Sequence, residues 1–557
     1  MTPIAALIQL ARTFGPEAAR EKARLLDEVA ALRRCSVREL VKLQDAVGFL
    51  LAYPDDARVR RGAERVSARL AEWAAAQVRA GRGGALEESG LAGTSCRRRL
   101  SFELARWVAE RVGAELEVDW DELEDPGKLH DVLCALVLAS ESPALDDVEI
   151  GVREWLTGRA RGGRSGLAVL LDDFASLALT SEQRAALFET CEVPLRLDDA
   201  GAARGRTELR LPPGRVHYQK EAIPRDRRPL PPLIRRELRA VRRLPLGEAR
   251  ERLATVKLAM LNRDLEIYPL THADERDVRV IACGRGVEIT LVGVLPEQRC
   301  AFEALFYYLV TKNGVPIAYG PASPFLGSCE MGINFFEEFR GAEARFVYTQ
   351  VMRVLHHLLG VHDFYVTPYG MGKGNAAALA TGAFWFYRKL GFATSNPEVE
   401  ALARAEEDRM RARPGYRSDA RTLRRLAATA VHLELERGSE ARFDSSALAR
   451  AVTRAFDAAP ERSRDEYARR CSNEVARRLG LRGLSEWTAD ERRALERVAP
   501  ALALIDELAA WTVREKRALI GIVRAKAGRP EDRAALALIA HTRLAKALRR
   551  LCERSAD

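Results

Sequence analysis

The clearest pattern of apolar and polar positions lies in the middle of the chain, between residues 278 and 392. Two β-prone runs at 278–282 and 287–292 flank a Gly-Arg-Gly sequence, which is typical of a hairpin. Residues 296–310 follow, where Pro296 opens a segment with apolar residues at helical spacing. This part of the chain therefore predicts a strand pair followed by a helix.

The pattern continues as two strands, a helix, a strand and a second helix. The first two strands are predicted at 315–320 and 330–336, on either side of a loop rich in Gly, Pro and Ser. A helix with one apolar face follows at 343–359, then a strand at 364–367. A second helix at 375–390 ends at a glycine.

Two segments of this region resemble signatures of the GNAT-type N-acyltransferases. Residues 333–341, Ile-Asn-Phe-Phe-Glu-Glu-Phe-Arg-Gly, are similar to the strand end that leads into the family's CoA-binding helix. Asn375 and residues 387–392, Tyr-Arg-Lys-Leu-Gly-Phe, resemble the later signature. The resemblance covers 314–392 and reaches back to 278 if the preceding strand and helix belong to the same sheet. It implies a central mixed sheet of GNAT type.

The resemblance also implies a transferase that moves an acyl group, most simply acetyl, from CoA to a primary amine. In such proteins the first N-H groups of the helix hold the CoA pyrophosphate, because a helix N-terminus carries unpaired donors and positive dipole charge. The positions that match this cofactor-binding role are Arg340, Gly341, Ala342, Glu343, Ala344, Arg345 and Asn375.

Two residues match catalytic roles. Tyr387 corresponds to a tyrosine that protonates the departing CoA thiolate, and a phenol can donate its proton without being ionised at neutral pH. Glu330 is the candidate general base, because a carboxylate on the strand that leads to the cofactor site can face the acceptor amine. Glu337 and Glu338 are further candidates. Acetyl-CoA or another acyl-CoA is the expected co-substrate, and no metal is expected.

Each of these residues also has a purely structural interpretation. Tyr387 follows Phe384, Trp385 and Phe386 and fits an aromatic packing position, and Asn375 fits a helix N-cap. Glu330 fits a solvent-facing strand position. Glu343 and Arg345 stand where the family has small residues, which leaves two alternatives open. One is an aminoacyl-tRNA-dependent transferase on the same fold, and the other is a catalytically inactive binding or scaffold protein.

Charge is distributed unevenly along the 557 residues. Residues 401–557 hold 34 Lys and Arg against 24 Asp and Glu, which accounts for the net charge of +10. Residues 201–250 hold 14 basic against 5 acidic residues and are rich in proline, which predicts a basic linker. Such a segment could bind nucleic acid or tRNA, but a solvated arginine surface is the simpler interpretation. The preferred partner is a small-molecule or protein amine.

The remaining sequence predicts four regions in a cytoplasmic protein. No apolar run approaches the length of a membrane span, no signal peptide pattern is present, and the nine cysteines contain no C-x-x-C pair. The predicted division is a mainly helical region at 1–200, the linker at 201–249, a GNAT-like domain at 250–396 and a helical bundle at 397–557. Breaks in the last region, including one at Pro500, predict about six helices.

Overall fold

The protein is a mixed α/β protein that forms two compact units. The computed structural model describes residues 1–146, 150–198, 205–223, 228–341, 343–436, 443 and 445–553. One unit comprises Met1–Ile223, Glu251–Thr271 and Lys312–Pro316, and the other comprises Pro224–Arg250, His272–Thr311 and Ile317–Asp557. The predicted class, a mixed sheet with helical flanking regions, is confirmed.

Helices dominate the first part of the chain. They are α1 Pro3–Leu10, α2 Pro16–Ala30, α3 Val37–Ala52, α4 Ala57–Gln77, α5 Phe102–Val112, α6 Pro126–Leu136, α7 Ser142–Asp146, α8 Val152–Arg159, α9 Gly166–Ala175 and α10 Ser181–Thr190. Their starts follow local rules: Ser36 and Glu39 form a capping box at α3, and the Asp56 side chain caps α4.

The same part contains a small sheet that the pattern of the sequence did not predict. Its strands are β1 Ser95–Arg98, β2 Leu116–Val118 and β3 Leu195–Asp198, with β3 antiparallel to both neighbours. Strands of three or four residues carry too few alternating positions to be recognised.

A larger mixed sheet forms the centre of the second part. Its strands are β4 Val241–Arg243, β5 Ala273–Gly284, β6 Val287–Val294, β7 Phe306–Lys312, β8 Val315–Phe325, β9 Ser328–Met331, β10 Asn334–Phe335, β11 Asp363–Val366 and β12 Val431–Glu434. The order is β12-β11-β9-β8-β7-β6-β5-β4, and β10 pairs with β8. Strands β9 and β11 are parallel, whereas β11 and β12, β8 and β9, and β5 and β6 are antiparallel.

Three connections between successive strands are two-residue turns in which both residues have positive φ. They are Arg285–Gly286 (52° and 70°), Asn313–Gly314 (51° and 85°) and Leu326–Gly327 (48° and 84°). Turns of this kind match the right-handed twist of the strands that they join. The hairpin predicted around Gly284–Gly286 is thus confirmed.

The prediction of a helix at 296–310 is wrong. Residues Pro296–Gln298 form one short 3-10 turn, and the apolar positions from Phe306 onward belong to β7. All seven residues of β7 are buried, so apolar side chains occupy both faces of the strand. A short apolar run of this kind cannot be distinguished from a buried helix by its spacing alone.

The helices between residues 230 and 390 follow the prediction in part. They are α11 Leu230–Ile234, α12 Leu246–Leu261, α13 Tyr268–Thr271, α14 Ala344–Leu359, α15 Pro368–Met371, α16 Ala376–Thr381 and α17 Ala383–Leu390. Helix α14 confirms the helix predicted at 343–359, and the strands that it connects, β9 and β11, are parallel. The predicted helix at 375–390 is two helices, because Gly382 adopts a left-handed conformation with φ of 65°.

The C-terminal part is helical, with more helices than predicted. The structure describes α18 Pro397–Ala412, α19 Ala420–Leu426, α20 Ser445–Asp457, α21 Arg464–Arg478, α22 Ala489–Ala503, α23 Val513–Ala527, α24 Asp532–Ala540 and α25 Thr542–Glu553. Pro500 does not break a helix, since it lies inside α22. Strand β12, between α19 and α20, was missed. The predicted linker at 201–249 contributes α11 and the exposed edge strand β4.

Candidate functional site

The parallel pair β9 and β11 separates after three paired positions. Ser328, Cys329 and Glu330 pair with residues 363–365. Within the described residues, the chain beyond Gly332 then pairs as β10 with β8, while β11 continues to Val366. We call this place, where the chain at Gly332 leaves β11, the fork.

Three tyrosines converge beside the fork on the α14 side of the sheet. The Tyr308 hydroxyl, from β7, donates a hydrogen bond to the Gly332 carbonyl oxygen. The rings of Tyr348 on α14 and Tyr387 on α17 lie 5.9 Å apart, edge to face. The charge of an ionised Tyr387 hydroxyl would raise the pKa values of both Tyr308 and Tyr348, which shows that Tyr387 lies close to the other two.

Burial keeps these phenols neutral. It raises the pKa of Tyr387 to about 12, and it raises the pKa values of Tyr308 and Tyr348 well above 10. The Tyr348 hydroxyl is buried and has no hydrogen-bond partner in the described parts of the chain. An unpaired buried hydroxyl costs roughly 1–3 kcal/mol, so this position suits a ligand that brings an acceptor atom.

Glycine is required at position 320, on the strand beside the fork. A Cβ atom at Gly320 would overlap the Gly332 carbonyl oxygen and the Tyr308 hydroxyl. The absence of a side chain there allows the tyrosine to reach the carbonyl. A larger residue would displace one of the two groups.

The start of α14 brings together several of the predicted pyrophosphate-binding residues. Arg340 and Gly341 are exposed, Gly341 has φ of 78°, and the helix begins at Ala344. Arg345 donates hydrogen bonds to the Lys389 carbonyl oxygen at 3.1 Å and to the Arg228 carbonyl oxygen. Ala342 lies outside the described residues.

Glu343 is turned inward and paired with Arg285. The Glu343 side chain is 1% exposed, and its Oε1 accepts from Nη1 of Arg285 at 3.3 Å. The guanidinium of Arg285 also lies over the Phe346 ring, 4.5 Å from its centroid. The carboxylate at the helix start is therefore neutralised by an arginine that sequence reasoning missed. No sequence signal connects the tip of the β5–β6 hairpin with residue 343.

Asn375 serves as the N-cap of α16. Its Oδ1 accepts from the backbone N-H of Ala378 at 3.0 Å. The structure thus gives this residue the structural role that its sequence position also allowed.

Glu330 lies on the opposite face of β9 from the tyrosines. Cys329, beside it, is buried and interacts electrostatically with Tyr308 and Tyr348, and successive strand residues point to opposite faces. Oε1 of Glu330 accepts from the Thr367 hydroxyl at 2.7 Å. Glu330 and Tyr387 are therefore not side by side, and they flank the fork from its two faces.

Comparisons with family models, with curated proteins and with solved structures gave no match to this chain. Across the described ranges, no group of three or more His, Cys, Asp and Glu side chains is placed to hold a metal ion. No helix in those ranges is long and apolar enough to cross a membrane.

Proposed function

We propose that the second unit transfers an acyl group from an acyl-CoA thioester to a primary amine, on a GNAT-like arrangement of β9, α14 and β11. The observation that carries this proposal is the fork, where two parallel strands separate beside a group of neutral tyrosine hydroxyls. Substrate sites in open α/β sheets commonly lie at the carboxyl ends of parallel strands, where the fork is.

The fork is suited to bind the thioester end of the acyl-CoA. The unpaired Tyr348 hydroxyl can donate to the thioester carbonyl oxygen, on which negative charge develops when the amine attacks. Tyr387 can donate its proton to the leaving sulfur, since its pKa of about 12 keeps it protonated at neutral pH. CoA would supply the activated acyl group.

The start of α14 is suited to bind the pyrophosphate of the same acyl-CoA. Its first N-H groups carry the positive end of the helix dipole, and Arg340 and Arg345 add positive charge nearby. Because Arg285 pairs with Glu343, this carboxylate at the helix start repels a bound phosphate less than an unpaired one would. The acceptor would reach the fork from the Glu330 face.

Calorimetric titration with CoA and acetyl-CoA tests the proposal. We expect binding that weakens at least tenfold in Arg340→Ala. The matched control is Arg411→Ala, which removes the same charge from an exposed arginine of α18. Absence of CoA binding would contradict the proposal. Salt-sensitive binding of tRNA instead would support the aminoacyl-tRNA alternative, and absence of both would support a binding or scaffold protein.

A further inference from the structure

A row of three side chains crosses the sheet at the fork, on the face opposite the tyrosines. Tyr365 on β11 pairs with Glu330 on β9 and with His432 on β12. The rings of Tyr365 and His432 stack with centroids 5.7 Å apart, which places both on the same face. Since neighbouring strands lie about 4.8 Å apart, the backbones of Glu330 and His432 are about 10 Å apart, with the tyrosine ring between them.

His432 is oriented by a buried carboxylate. Its Nδ1 lies 3.2 Å from Oδ1 of Asp363, whose side chain is 5% exposed. The other carboxylate oxygen of Asp363 accepts from the Ser328 hydroxyl at 3.0 Å. A carboxylate can only accept, so it fixes the proton on Nδ1 and leaves Nε2 as a proton acceptor.

This arrangement is not a serine hydrolase triad. Ser328 donates to Asp363 and not to His432, so the imidazole does not activate the hydroxyl. His432 is 22% exposed, and its Nε2 has no hydrogen-bond partner within the part of the chain that the structure describes. A substrate can therefore supply the missing proton donor.

The other end of the row is a half-buried carboxylate. The Thr367 hydroxyl donates a hydrogen bond to Oε1 of Glu330, whereas Oε2 has no hydrogen-bond partner among the residues described. A carboxylate, an aromatic face and an imidazole acceptor together suit an ammonium group, which donates hydrogen bonds and is attracted to a π face.

We infer that this row binds the acceptor as a cationic primary amine and that His432, not Glu330, is the base that takes its proton. Glu330 and the Tyr365 ring hold the ammonium group beside the fork. The inference rests on the proposed acyl transfer for its chemical step, whereas the binding of the amine can be measured without an acyl donor.

The step balances as follows. The ammonium group, held by Glu330 on one side of the Tyr365 ring, loses one proton through a bridging water to Nε2 of His432 on the other side, and His432 passes it to solvent. The amine nitrogen then forms a bond to the thioester carbonyl carbon and the C–S bond breaks. The departing thiolate takes the proton of Tyr387, and the second amine proton restores the phenol. The products are an amide, a thiol and one released proton.

Binding of the amine is tested by NMR of the imidazole ring protons during titration with 1,5-diaminopentane, without CoA. The His432 signal among the eight histidines is assigned from its loss in His432→Gln. We expect this signal to shift with the diamine and not with 1,5-pentanediol, and the shift to disappear in Glu330→Gln. A His432 signal that the diamine does not move would overturn the inference.

Turnover separates the role of His432 from that of the fold. With acetyl-CoA and the diamine, His432→Gln should lower thiol release by about 10²- to 10⁴-fold, the usual contribution of a general base. Added imidazole should restore part of the activity of His432→Gly, which a purely structural histidine would not allow. Glu434→Gln is the matched control, because it changes an exposed position two residues along the same strand.

The two proposals can fail separately. If the diamine shifts the His432 signal but wild-type protein releases no thiol, the acyl transfer is refuted and the amine site stands. If thiol is released and His432→Gln is fully active, the role of His432 is refuted and the acyl transfer stands.

Discussion

Replacement of Tyr387 by phenylalanine should remove catalysis and leave the fold intact. The Tyr387 ring packs against Tyr348, Phe386 and Phe392, with centroids 5.2 to 5.9 Å apart, and phenylalanine keeps these contacts. Its hydroxyl makes no hydrogen bond with any residue that the structure describes. The free energy of unfolding should therefore change by less than about 1 kcal/mol.

The effect on turnover should be much larger. A general acid contributes about 10²- to 10⁴-fold to rate, which equals roughly 2.7 to 5.5 kcal/mol of transition-state stabilisation. The assay is thiol release from acetyl-CoA with a panel of primary amines, alongside urea unfolding of the same samples. Tyr467→Phe is the matched control, since burial also raises the pKa of Tyr467 to about 12 but this residue lies on α21.

The pH profile gives the same prediction an independent check. Because burial raises the pKa of Tyr387 to about 12, the phenol stays protonated between about pH 7 and pH 10, where a free tyrosine would begin to ionise. Thiol release should not decline in that range through loss of this proton. Turnover of Tyr387→Phe equal to that of the wild type would refute the assignment of Tyr387 as the acid.

Three further changes test how the structure supports the site and the fold. Gly320→Ala should weaken acetyl-CoA binding at least tenfold by calorimetry, because a Cβ there would push into the fork; unchanged affinity would contradict this. Lys22→Met should lower the free energy of unfolding by about 3–5 kcal/mol in urea, since it leaves Asp55 buried and unpaired, and Lys22→Met with Asp55→Leu should recover most of the loss. Arg388→Lys should cost about 1–3 kcal/mol, because lysine cannot reproduce the paired hydrogen bonds to Glu400 at 2.8 and 2.9 Å; a melting temperature equal to wild type would count against it.

The sequence predicts the elements whose signals are local. The hairpin of β5 and β6, helix α14 and strand β11 all have regular spacing and a clear stop, and all three are confirmed. Strand β7 was mistaken for a helix because it is buried on both faces. Strand β12 was missed because it is short and lies within a long helical region.

The site depends on contacts that no local pattern encodes. Tyr308, Tyr348 and Tyr387 meet only because β7, α14 and α17 pack around one strand end. Arg285 and Glu343 pair across 58 positions of sequence. The row at His432 likewise requires β12, which the sequence did not reveal. The resemblance to the acyltransferases therefore suggested Tyr387 and Glu330, while the residues that contact them were found only in the tertiary structure.

The most direct test of the account is the ¹³C NMR signal of the thioester carbonyl of acetyl-CoA, labelled at that carbon, in the presence of excess protein. If the thioester lies in the fork with its oxygen at the Tyr348 hydroxyl, the signal should shift downfield on binding, and Tyr348→Phe should reduce that shift. A carbonyl signal identical to that of free acetyl-CoA, at protein concentrations up to about 1 mM, the upper end of usual KM values, would contradict it.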